Sequence, residues 1–176
     1  MVAPIYIIVL PLGVAFLLPL IKKAGSRVVD TVFLAIISAL VFISGQWLYA
    51  FLFEHAASIQ IFTAGVHPPL SINLQLGLQE ALFITSINLL ALLGGLYLRS
   101  RFNEIGIRAY VLFLLLILGM NGLIMTRDLF NLFVFLEITS ISSYALIGMD
   151  LKGPALTAGF RYMVAGSLAS IFLLLG

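Results

Sequence analysis

The chain has 176 residues, of which 62% are hydrophobic and 9% charged, and its mean hydropathy is +1.21; soluble domains carry roughly a quarter charged residues, so a water-soluble enzyme, a disordered chain and a nucleic-acid binder are excluded. Nine Lys and Arg and seven Asp and Glu give a net charge of +2, and most of them sit between long apolar runs, which marks an integral membrane protein. No cysteine occurs, removing disulfides, thiolate metal sites and Cys-held clusters, so no cofactor, metal or catalytic group is read here and any redox chemistry belongs to a partner.

Six spans are predicted, at 4–21, 28–53, 81–98, 110–126, 129–149 and 154–176, forming one transmembrane domain over residues 1–176. The start lacks the basic region and cleavage pattern of a signal peptide, so the first run is kept as a helix. The runs are longer and more continuous than β-barrel strands, and the fold class is an all-α integral membrane protein with six transmembrane helices.

The first break carries Lys22, Lys23 and Arg27, and the third carries Arg99, Arg101 and Arg108. The long second connection, 54–80, has no Lys or Arg, so the positive-inside rule puts both termini outside a plasma membrane. Arg127 in the fourth break opposes this scheme and is read as neutralised by adjacent Asp128; Lys152 agrees with it. Trp47 and Tyr49 read as interfacial anchors. Within the second connection, Gly65, His67, Pro68 and Pro69 precede the alternating Leu70, Ile72, Leu74 and Leu76, the pattern of an irregular segment or short hairpin on the outer surface. His55 and His67 read as exposed loop residues. Asn88 and Asn121 are expected to bond neighbouring helices, and Gly94, Gly95, Gly119 and Gly122 to let helices approach closely.

Glu137 and Arg161 stand out as formal charges inside spans, where a carboxylate costs several kcal/mol to insert and normally faces a protein interior or a water path. With Asp128 capping the fifth helix, Glu137 lies nine residues on, about 13.5 Å deep and near mid-membrane. Ser140, Ile141 and Tyr144 follow at spacings of three, four and seven, giving a Glu-Ser-Tyr stripe suited to hold water or relay a proton. A short loop makes the fifth and sixth helices antiparallel neighbours, so Arg161 is within reach of Glu137 if their faces meet. The pair reads either as a structural neutralisation or as a functional couple.

The run 119–148, GMNGLIMTRDLFNLFVFLEITSISSYALIG, resembles the antiporter-like subunits of Mrp-type sodium/proton antiporters, membrane-bound hydrogenases and related energy-converting complexes, and respiratory complex I. DLFNLFVFLE followed by Ser and Tyr is most like the Mrp D-type and hydrogenase branch. The resemblance implies that Glu137 is a proton-carrying residue of a half-channel, supported by Ser140, Tyr144, Asn121 and Asp128. It also implies that Arg161, in Phe160-Arg161-Tyr162, stands where the family commonly has a lysine; an arginine keeps its proton and orients rather than relays. Where members usually carry an aspartate before the third helix, this chain has Gly77, with Glu80 shortly after. Members have about fourteen helices in two inverted repeats, and these 176 residues resemble the N-terminal six, without the family's seventh-helix lysine.

The expectation is a membrane subunit contributing a buried glutamate to a proton path, with Na+/H+ exchange as an option, inside a larger complex of other membrane subunits. The alternative is a shortened structural or assembly subunit whose buried charge pair does not conduct.

Overall fold

The computed structural model describes residues 2–62, 73–149 and 153–175. Helix α1 (Tyr6–Ile21) runs through a short 3-10 turn into α2 (Ser26–Phe53). Strands β1 (Ile59–Phe62) and β2 (Asn73–Leu76) follow, and then α3 (Leu78–Ile105), α4 (Ile107–Met125), α5 (Leu129–Gly148) and α6 (Gly153–Leu175). Five of these helices are long and apolar enough to cross a bilayer, and α1 is a shorter apolar helix. A central layer forms as α4 packs on α1, α3 and α5, with α2 against α3 and α6 resting on α5.

The third span continues as helix to Ile105, about two turns beyond its predicted end at Leu98. Arg99, Arg101 and Glu104 therefore stand on a helical extension rather than in a loop. The chain reverses at Gly106 alone, whose φ of 98° is readily available only to glycine.

Apolar residues at helical spacing fill the α2–α3–α4 interface, where Phe33 meets Tyr110 edge-on at 5.0 Å and Phe102 meets Phe113 at 5.4 Å. Trp47 joins this core: it is 1% exposed, and its indole N–H donates to the Val2 carbonyl at 3.1 Å. It is thus a packing residue tying α2 to the chain start, not an interfacial anchor. Tyr49 is exposed and stacks on Phe53 at 5.0 Å.

The α4–α5 contact depends on glycine. A Cβ on Gly122 would clash with the ring carbons of Phe135, and one on Gly119 would strike Thr139, coming 2.9 Å from its backbone nitrogen. Gly119→Ala is expected to destabilise by about 1–3 kcal/mol through overpacking. Gly45→Ala, whose added methyl meets open space, should be neutral or favourable because it removes a helix-interior glycine. Thermal unfolding of the two variants in detergent checks this, and equal shifts would disprove it.

The predicted hairpin forms, with Ile59 opposite Leu76 and Phe62 opposite Asn73 in antiparallel register. Its second strand is not merely superficial: Leu74 and Leu76 are buried, and Leu74 bridges to Thr126. His55 is exposed with φ 50°, whereas His67, the two prolines and the alternating Leu70 and Ile72 lie outside the described residues. Asp150 and Lys152 do too.

Candidate functional site

Asp128 ends the extended turn before α5 and caps it, its carboxylate accepting from the Asn131 N–H at 3.1 Å. That cap fixes the register of α5. Glu137 comes eight residues after Leu129, about 12 Å along a helix of roughly 30 Å. It faces a lateral groove of about 490 Å³ between α5 and α6, lined also by Ile141, Tyr144, Gly148, Gly159 and Ser167.

Glycines hold this groove narrow. A Cβ on Gly159 would lie 3.2 Å from the Gly148 backbone, and Gly166 leaves the space that the Tyr144 hydroxyl occupies. The buried Tyr144 ring meets Tyr162 edge-on, with centroids 4.8 Å apart. Of the sequence stripe, then, Glu137, Ile141 and Tyr144 share the groove. Ser140, 60° off that line by helical rotation, is half-buried outside it.

Arg161 does not complete the site. It is exposed on α6 and makes no ion pair with Glu137 among the described residues. Adjacency of two antiparallel helices does not make their polar faces meet, because a 100° step per residue sends nearby positions in different directions. Glu137 likewise has no intrachain hydrogen-bond partner among the described residues.

Asn121 lies elsewhere, on the opposite flank of α4. It is 0% exposed, as is Asn88 on α3, and its amide donates to the Asn88 carbonyl at 3.0 Å. Asn88 Nδ2 and Asn121 Oδ1 find no partner among the described residues, so the pair binds α3 to α4 at a polar cost. Asn121→Leu is expected to destabilise more than Asn121→Leu combined with Asn88→Leu, since the single change strands the second amide. Strictly additive losses in thermal unfolding would show that the amides are not coupled.

Two ionic clusters escape a reading by spans. Arg127 does not pair with Asp128: it makes a close ion pair with Glu80 in the first turn of α3, and its Nε donates to the Gln75 side chain at 3.1 Å. Its backbone N–H donates to Asn73 O at 2.9 Å, while Glu80 also accepts from the Gly77 N–H at 2.8 Å. Hairpin, α3 and the α4–α5 turn are thereby fastened together.

At the other end, Asp30 is 4% exposed. It accepts from Arg99 Nε at 3.1 Å, from Asn103 Nδ2 at 2.9 Å and from the Tyr110 hydroxyl. It lies inside the predicted second span, so Glu137 and Arg161 are not the whole set of charges there. Its position one turn after Arg27, as an isolated acid in an apolar run, is the signal that marks it.

The family described as NADH:quinone oxidoreductase/Mrp antiporter, TM matches residues 126–176, a stretch that contains Asp128, Glu137, Tyr144 and Arg161. NADH-quinone oxidoreductase subunit N of Desulforudis audaxviator is 34% identical over 98% of this chain and 35% of its own length. A solved chain of the membrane-bound sulfane sulfur reductase, an archaeal respiratory membrane complex, is 36% identical with a TM-score of 0.89, over 98% of this chain and 35% of that one. The chain belongs to the antiporter-like subunit family. A solved chain of the Mrp complex from Dietzia sp. DQ12-45-1b shares the fold at a TM-score of 0.78 and 24% identity, over 99% of this chain and 34% of that one. This antiporter-like chain spans about a third of the length of the curated relatives it matches. It is a multi-pass membrane protein.

Proposed function

We propose that the chain is part of a membrane subunit that carries protons within a larger ion-translocating complex, and that Glu137 is its protonatable residue. The observation that carries this reading is a mid-helix carboxylate without an intrachain partner among the described residues, opening on a groove shared with Tyr144 and Ser167. Tyr144 supplies a hydroxyl seven residues along the same face, and its ring closes one wall. Asp128 sets the register of α5, while Asn121 supports the bundle away from the groove. Arg161, exposed beside the groove, is available to a charge on a partner subunit.

The resemblance to Mrp-type and respiratory-complex subunits favours protons as cargo, with exchange for sodium as the variant reading, and other membrane subunits as partners in the bilayer. Cations cluster at Lys22, Lys23, Arg27, Arg99, Arg101 and Arg108, which supports an orientation in a plasma membrane with both termini outside and residues 1–176 acting as one transmembrane domain.

The structural alternative rested on a frozen Glu137–Arg161 pair, and none forms among the described residues. Proton flux through the assembled complex carrying Glu137→Gln tests the reading. Loss of flux with assembly intact is expected; unchanged flux would overturn it.

A further inference from the structure

At the end of the bundle away from the hairpin, a cleft of about 200 Å³ opens between the turn that leads into α2 and the α3–α4 turn. Its floor is Val29 and Tyr110, both buried, and its walls carry Lys22, Ser26, Asn103, Gly106 and Ile107. Nothing lies within 4 Å of the point where Gly106 would bear a Cβ, so an incoming group can approach the backbone there.

The local charge is unbalanced. Arg99 is held by Asp30 and Arg101 by Glu104, whereas Lys22, Lys23, Arg27 and Arg108 have no ion-pair partner among the described residues. Asp30, which lies beneath the cleft, does not cancel them, because its oxygens are occupied by Arg99, Asn103 and Tyr110. The predicted spans begin at residues 28 and 110, so this cationic cleft sits at the level of lipid head groups, with apolar Val29 and Ile107 leading toward the hydrocarbon.

We propose that the cleft binds the phosphate of an anionic phospholipid, with Lys22 and Ser26 on one side of the head group, the open Gly106 backbone on the other, and acyl chains running down the exposed helices. Basic clefts between membrane helices suit such head groups, whose phosphodiester charge remains at every working pH. The assignment is independent of ion transport through Glu137. It gives a local use for Lys22, the cation that lines the cleft, while Lys23, Arg27 and Arg108 add positive potential around it.

The test uses the full chain in phosphatidylcholine nanodiscs into which phosphatidylglycerol is titrated, with retained lipid counted by native mass spectrometry after extraction. Selective retention of phosphatidylglycerol is expected. Lys22→Gln and Ile107→Trp, which fills the cleft without altering charge, should each weaken it by about tenfold or more. Lys23→Gln, off the cleft, should cost no more than the roughly fivefold effect of any single surface cation. Equal losses for Lys22→Gln and Lys23→Gln with Ile107→Trp unaffected would mean diffuse adsorption and overturn the site. So would phosphatidylglycerol retained no better than phosphatidylcholine. Displacement by millimolar inorganic phosphate would assign the cleft to a free anion instead and overturn the lipid source. Should Ile107→Trp not fold, the contrast between the two lysines decides the matter.

Discussion

Replacing Glu137 by glutamine is expected to reduce ion transport by the host complex to background while leaving its assembly intact. Glutamine keeps the length and hydrogen-bonding shape of the side chain but holds no exchangeable charge. The groove, formed by Gly148 against Gly159 and by Tyr144 against Gly166, therefore stays in place while the protonatable group is lost. Glu137→Asp tests position separately from charge: it keeps the carboxyl but withdraws it by one methylene, so partial transport is expected. Wild-type flux in Glu137→Gln, measured as pH change in proteoliposomes bearing the assembled complex, would remove Glu137 from the path.

The largest stability effect is expected for Arg127→Ala. This change strands Glu80, whose side chain is 9% exposed, and it also removes the donors reaching Gln75, Ile124 O and Thr126 O. Losing one partner of a buried pair costs about 3–5 kcal/mol, and the partial exposure of Arg127 brings the expected loss to roughly 2–3 kcal/mol. Arg127→Lys should fall between wild type and alanine, since it keeps the charge without the fork that serves several acceptors. If Glu80→Gln combined with Arg127→Ala were no better than the sum of the two single losses in denaturation measurements, the pair would be uncoupled.

Apolar run length made the helices legible, because hydrocarbon leaves a chain little choice but to satisfy its backbone within the segment. The cap at Asp128 and the close approaches at Gly119 and Gly122 were equally readable, since each is a local demand on one residue type. Pairings between distant positions were not. Asp30 meets Arg99 and Glu80 meets Arg127 across separations of 69 and 47 residues, and only the packing of α2 on α3 and of α4 beside the hairpin determines them. Linear proximity misleads in the same way at Arg127, which neighbours Asp128 yet bonds Glu80. Glu137 and Arg161 show the converse: both are legible as charges within spans, but their side chains follow helix faces whose relative rotation no spacing rule supplies.

The Glu80–Arg127 fastening also bears on how the chain enters a membrane. Synthesis delivers Glu80 first, at the head of α3, and its counter-charge follows only after all of α4 has been made. In the fold that acid's side chain is 9% exposed, so its compensation depends on a residue 47 positions further along the chain. Through Arg127 one side chain joins strand β2, the head of α3 and the entrance to α5. Chain order therefore places this latch after the first four helices and directly ahead of α5, which bears Glu137.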